Sequence, residues 1–320
     1  MNLRIHLINL ALRALVKRKL AACQTPLDVR KAFDGFPSIA PRGVRFVEGA
    51  FGEILGEWAE PKDQVADNGT VLYIHGGGHA AMSPRTHRAI TGGFAARGLS
   101  VFAPEYRLAP ENVFPAAVDD LVRAYLGLRS KKEGPIFVAG DSSGGGLAIS
   151  LLLKLRDLNE EQPVAASVFS PWVDLTVSGD SVAANRDRDP MEVAECLRML
   201  AKAYVGSADP RNPLISPIYG DLAGLSALQI FVGNTEILLD DSLRLADLAR
   251  AAGVFVDLCV YPNMPHAWPS LNAILPEGRR ALDEAALFMK TSTLRSVGEQ
   301  MRGRKSGAAS EPMKLAKKGT

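Results

Sequence analysis

The pentapeptide Gly140-Asp141-Ser142-Ser143-Gly144 lies between two apolar runs of different character, and this setting constrains the chain more than any other feature. Upstream, Ile136-Phe137-Val138-Ala139 follows Gly134-Pro135 and has the length and composition of a buried parallel strand. Downstream, Leu147 to Leu155 is nearly all apolar, which suits a helix packed inside a protein. A strand that turns sharply into a helix would hold Ser142 at the apex, hydroxyl exposed and backbone strained. Gly140 and Gly144 are then needed because a Cβ there would strike neighbouring chain. Taken alone, the pentapeptide is equally a Gly/Ser-rich loop; its flanks favour a nucleophile. The same letters occur in disulfide-bearing β-barrel proteases, but there the base precedes the serine and no long apolar helix follows.

A serine hydroxyl needs a base to take its proton and a third group to orient that base. Of the five histidines, only His266 lies far downstream in a loop, between Pro265 and Ala267-Trp268-Pro269, after a strand-like run from Val254 to Val260. An order of Ser, acid, His places the acid between Ser142 and His266. Leu228-Gln229-Ile230-Phe231-Val232 reads as a strand, and Glu236 stands just past its carboxyl end, where catalytic loops gather in open parallel sheets. Asp240 is the alternative acid, although it equally starts the helix containing Leu243 to Ala252.

The stretch Val71-Leu72-Tyr73-Ile74 reads as another buried strand and runs into His75-Gly76-Gly77-Gly78-His79. Consecutive glycines can aim backbone N–H groups into a cleft, and preorganised donors of this kind stabilise a developing oxyanion. Gly77, Gly78 and the N–H of Ser143 are the candidate donors. His75 and His79 have the i, i+4 spacing of a helical metal pair, but three intervening glycines argue against a helix, so no metal site is expected.

These blocks resemble the hormone-sensitive-lipase-like esterases of the α/β-hydrolase superfamily. The resemblance rests on His75-Gly76-Gly77-Gly78, on Pro104 to Glu111, and on Gly140 to Gly145, with further likeness at Ser170 to Leu175 and Met264-Pro265-His266. It spans roughly residues 45 to 290. It implies hydrolysis of carboxylic esters by a triad of Ser142, an acid and His266, with the glycine loop as oxyanion hole. It also implies a cap built from the N-terminal segment and from an insertion after the strand Val164 to Phe169. The chain departs from the family pattern at Glu105, where Asp is usual, and at Glu236-Ile237-Leu238, where Asp-Pro-Leu is common. Ala267 and Trp268 stand where Gly-Phe is usual, and both are expected near the active-site mouth.

Composition bounds the rest. With 320 residues and 47% apolar content the chain can build one large core and a small cap. No apolar run reaches the length of a membrane span. Cys23, Cys196 and Cys259 are odd in number and scattered, which points to reduced thiols and a cytoplasmic location. No phosphate-binding or cofactor motif is visible. From Lys290 onward eight Lys/Arg face two Glu, so the remainder of the chain sums to −4 against a total of +2. That basic end is expected to be a solvated tail rather than a nucleic-acid or membrane contact. Near the start, Leu3, Leu7, Leu10, Ala14 and Leu15 fall at helical spacing among Arg4, Arg13, Lys17, Arg18 and Lys19. An amphipathic cap helix is the leading reading, and a membrane-surface helix is the runner-up. Arg186 and Arg188 are expected to face water, with contact to a carboxylate-bearing substrate as the alternative.

The expected organisation is an α/β-hydrolase fold, a mostly parallel central sheet flanked by helices and covered by a helical cap. Residues 1–45 are the N-terminal cap segment, 46–177 and 221–292 the core, 178–220 the cap insertion and 293–320 the tail. The expected function is a serine carboxylesterase for small to medium acyl esters, acting without cofactor or metal on a small-molecule substrate. Lactone opening or acyl transfer would use the same triad, and a ligand receptor on this fold is the non-catalytic alternative. A homodimer is compatible with the sequence.

Overall fold

The computed structural model describes residues 3–33, 38–62 and 68–308. The short apolar runs bounded by Gly and Pro become strands: β1 (Val44–Phe51), β2 (Ile54–Pro61), β3 (Thr70–Ile74), β4 (Ser100–Pro104), β5 (Ile136–Asp141), β6 (Ala165–Phe169), β7 (Ala227–Gly233) and β8 (Val256–Tyr261). They form one eight-stranded sheet in the order β1-β2-β4-β3-β5-β6-β7-β8. β2 pairs antiparallel with β1 and with β4, and every other pair is parallel. Strands β3, β4, β5 and β6 are buried at every residue, which explains why they read as continuous apolar runs rather than as alternations.

Helices cover both faces. Leu121 of Ala116–Lys131, Leu152 of Ser142–Asp157 and Leu245 of Leu239–Ala251 share one apolar core with the cap. Phe94 of Arg88–Ala95 and Leu282 and Met289 of Pro276–Ala308 join a second core on the opposite face. This is an α/β-hydrolase architecture. The last helix continues to Ala308, past the expected core boundary at residue 292 and into the segment read as tail. Residues 309–320 of that expected tail lie outside the described residues.

Two local features decide where chemistry can occur. The strand order reverses between β3 and β5, and Ile74 pairs with Gly140 in register, so the loops leaving these strands meet at one end of the sheet. Such a switch point opens a crevice at the carboxyl ends of parallel strands. Farther along, Gly233 pairs with Tyr261, so the loops after β7 and β8 leave the sheet at the same level and on the same side.

The N-terminal segment forms Leu3–Leu12, a π-helical stretch Arg13–Lys17 and Arg18–Ala22, followed by Pro26–Phe33. The insertion contributes short helix Ser181–Ala184 and helix Ala194–Val205. Leu20, Val29, Leu197 and Leu200 are buried together in the larger core, so both segments lie over the crevice. Among the described residues no helix is long and apolar enough to cross a membrane.

Candidate active site

Ser142 begins the helix Ser142–Asp157 directly after β5 and has a positive φ of 54°, the left-handed region that costs a non-glycine residue about 1–2 kcal/mol. Close packing around the turn holds it there. A Cβ on Gly144 would overlap the carbonyls of Ile74 and His75, and one on Gly140 would lie 2.5 Å from the Gly144 oxygen. Helix and strand therefore approach more closely than any larger residue permits. Behind the turn, Asp141 accepts hydrogen bonds from the Tyr73 hydroxyl (2.5 Å) and the Gly76 N–H (3.2 Å). His87 Nε2 lies 3.3 Å from the same carboxylate. Burial would raise the Asp141 pKa, but His87 and Tyr73 hold it below the usual carboxylate value. For His87 burial lowers and Asp141 raises, with a net rise. This buried pair ties β3, β5 and the Pro84–His87 turn together beneath Ser142.

His266 lies in the loop after β8, and its Nδ1 is 2.8 Å from Glu236 Oε2. Glu236 is fully buried and its other oxygen accepts the Gly233 N–H (2.5 Å) and the Ser170 hydroxyl (2.8 Å). Ser170 Oγ in turn accepts the N–H of Ala267 (3.1 Å). β7 with its loop, the turn after β6 and the loop after β8 thus fix one carboxylate and one imidazole. Burial raises the Glu236 pKa above its ordinary value, offset in part by the hydrogen bond to His266. Burial alone would lower the His266 pKa; the carboxylates of Glu192 and Glu236 overcome it and raise it to about 10. Asp240, the alternative acid, points elsewhere: it accepts the Ser181 N–H at 2.8 Å. His266 Nε2, the nitrogen a serine would use, is buried without a hydrogen-bond partner among the described residues. It lines the same pocket as Ser142, Gly77 and Gly78.

The glycine loop leaves β3 toward this pocket. Gly77 and Gly78 have φ of +117° and +62°, and a Cβ on Gly77 would overlap the Ala81 carbonyl. No acceptor among the described residues takes their N–H groups. Ser143 occupies the first turn of its helix, where backbone N–H groups have no intrahelical partner. Gly77 and Gly78 line the crevice beside Ser142, and Ser143 follows Ser142 in the helix. Much of the rest of the crevice lining is apolar, from Leu12, Leu20, Val29 and Phe33 of the N-terminal segment and Leu197 and Leu200 of the insertion, with Glu192 among the polar exceptions.

A family model for the α/β hydrolase fold matches residues 71–270. An acetyl-hydrolase of Streptomyces hygroscopicus is 42% identical over 245 residues, covering 76% of this chain and 81% of that protein. Among solved structures, an esterase from the bacterial hormone-sensitive lipase family superposes with a TM-score of 0.83 at 35% identity, over 91% of this chain and 99% of that one. The esterase EstE5, soaked with p-nitrophenyl butyrate, gives a TM-score of 0.85 at 34% identity, covering 90% and 98%. The chain belongs to the hormone-sensitive-lipase-like α/β hydrolases. It is a carboxylic ester hydrolase.

Against the pattern of this hydrolase family, the structure corrects one expectation. Ala267 lines the pocket, but Trp268 is fully buried and packs on Tyr261 and Phe231, so it is a core residue rather than part of the mouth. Ala267 has a φ of +49°, the conformation for which glycine is the easier residue. His75 and His79 are stacked on Tyr106 and Tyr204, at 4.4 and 3.9 Å between ring centroids, and burial lowers each pKa to about 3. The loop thus uses both rings as packing surfaces. Arg186 pairs with Glu195 at the exposed surface, and Arg188 donates to the Asn185 side chain.

Three contributions were not legible in the sequence. Ser170 lies in the family-like stretch Ser170 to Leu175, but its role as a donor to Glu236 shows only in the turn after β6. The His87–Asp141 pair joins residues 54 positions apart, and nothing in the spacing announces it. Glu192 stands before an apolar cap helix, yet its carboxylate lies 3.8 Å from His266 Nε2 with the side chain only 13% exposed.

Proposed function

We infer that this carboxylic ester hydrolase works through an acyl-enzyme on Ser142. Ser142 Oγ attacks the ester carbonyl while His266 Nε2 accepts its proton. The tetrahedral oxyanion forms against the N–H groups of Gly77, Gly78 and Ser143. His266 then gives the proton to the departing alkoxide, and water resolves the acyl-enzyme through the same base. Glu236 keeps the imidazole in the tautomer with Nδ1–H and stabilises the imidazolium. The observation that carries this reading is the 2.8 Å bond from buried Glu236 to His266 Nδ1, with Nε2 left free in the pocket that holds Ser142.

The apolar walls formed by the N-terminal segment and the insertion support small to medium acyl chains as the substrate range. Free Cys23, Cys196 and Cys259 support a cytoplasmic location. Hydrolysis of nitrophenyl esters of increasing acyl length tests both the chemistry and the pocket depth. Turnover should peak at a short or medium chain and collapse in Ser142→Ala. A folded wild type that turns over no ester would overturn the reading and direct the search to lactones.

A further inference from the structure

Glu192 is a carboxylate in a place the hydrolytic mechanism does not need one. The triad already has its acid on the Nδ1 side of His266; Glu192 lies on the opposite side, 3.8 Å from Nε2. It lines the pocket with Ser142 and is set among Met191, Cys196 and Leu197. Its position is fixed rather than incidental. Asp189 accepts the N–H groups of Met191 and Glu192 through one oxygen, at 2.8 and 2.9 Å. Through the other it accepts the N–H of Ile237, next to the triad acid, at 2.8 Å. Lys17 donates to the Asp189 carbonyl (2.7 Å) and clamps the same turn from the N-terminal segment.

Among the described residues the one ion-pair contact of the Glu192 carboxylate is His266. The other charges acting on it are Asp189, Glu236 and Lys17. His266 must be neutral to act as base, so in the reactive state Glu192 has no countercharge within that contact. A largely buried carboxylate in this condition calls for a cation or a strong donor. The nitrogen Nε2 also marks where the leaving oxygen must be, because it delivers the proton that releases the alcohol. A group beside Nε2 therefore faces the alcohol portion of the ester.

Resting on the esterase reading, we propose that Glu192 is the recognition group of the alcohol subsite and that it selects esters whose alcohol carries a protonated amine two carbons from the ester oxygen. The ammonium N–H would donate to Glu192 while the ester oxygen faces His266. Binding of the cation beside Glu192 favours release of the His266 proton to solvent and leaves the imidazole neutral for attack. A substrate carrying a carboxylate in that position meets like charge and is rejected.

The test compares kcat/KM for dimethylaminoethyl butyrate with that for isopentyl butyrate, its uncharged isostere, at a pH where the amine is protonated. The wild type should prefer the amine ester by about tenfold or more, and Glu192→Gln should abolish the preference while Glu192→Asp retains part of it. Should the variants not fold, dimethylaminoethanol must still inhibit wild-type hydrolysis of nitrophenyl butyrate competitively, and isopentanol less so. Equal rates on the two butyrates, or a preference that survives in Glu192→Gln, would overturn the assignment. A wild type that hydrolyses nitrophenyl butyrate but ignores the amine sinks this proposal alone. One that hydrolyses none of these esters sinks the esterase reading with it.

Discussion

At the scale of single residues, the site is a line of charges: Glu236, His266 and Glu192, all withdrawn from water. The imidazole sits between two carboxylates and its proton is held to about pH 10. The sign of the consequence is definite. A base must be neutral to accept the serine proton, so kcat/KM should fall as pH drops through a limb displaced above the ordinary histidine value near 6.5. Removing the Glu192 charge in Glu192→Gln should move that limb to lower pH, and a pH–rate profile of the two proteins reads it directly. Glu236→Gln should lower kcat by about a hundredfold to ten-thousandfold, because the amide no longer stabilises the imidazolium or fixes its tautomer. Asp240→Asn should leave kcat within about threefold, since Asp240 serves the Ser181 N–H and not the base.

At the scale of elements, the site is produced by loops that leave four parallel strands, β3, β5, β7 and β8, at one end of the sheet. Strands β3, β5 and β6 were legible because every residue in them is buried and most are therefore apolar, whereas β8 is only half-buried. The elbow was legible because a turn this tight admits only glycine at its contact points. Glu236 was the favoured acid from its place just past β7, with Asp240 as the alternative, and the hydrogen bonds to Gly233, Ser170 and His266 that support it are not visible in the sequence. The cap was legible as an interruption but not as a surface: nothing in the pattern around Pro190 to Val193 indicates that Glu192 turns inward. The length of the last helix was also missed, because its amphipathic pattern fades after Met289 while residues that tolerate helix continue. The elbow yields its own prediction. Gly144→Ala drives a Cβ into two backbone carbonyls, whereas in Gly145→Ala the nearest atoms are Cβ and Cα of Pro171, at 3.0 and 3.1 Å. Gly144→Ala should lose about 1–3 kcal/mol and most of the activity, and Gly145→Ala less of both, as measured by urea unfolding and ester turnover.

At the scale of the whole molecule, the pocket has walls from both ends of the fold, and the N-terminal segment is stapled to the insertion. Arg13 donates to the carbonyls of Asp187 and Arg188, both at 2.7 Å, and Lys17 to those of Arg186 and Asp189. Both cations belong to the π-helical stretch Arg13–Lys17, whose local widening is not visible as a sequence signal. The staples hold the turn that carries Glu192 and touches the triad acid loop. Replacing both with alanine should cost about 1–2 kcal/mol, modest because these groups are partly exposed. It should raise KM more than it lowers kcat, since the cap loosens while the triad stays on the sheet. Equal loss in both parameters would mean that the cap also holds the catalytic groups in place.

The central claim, that Ser142 is the nucleophile of a single hydrolytic site, is tested most directly by labelling with diethyl nitrophenyl phosphate followed by peptide mass analysis. One diethylphosphoryl group per chain should appear on the peptide containing Ser142, in step with loss of ester hydrolysis, and Ser142→Ala should take up none. Inactivation with the adduct on another residue, or full labelling of Ser142 with hydrolysis undiminished, would contradict it.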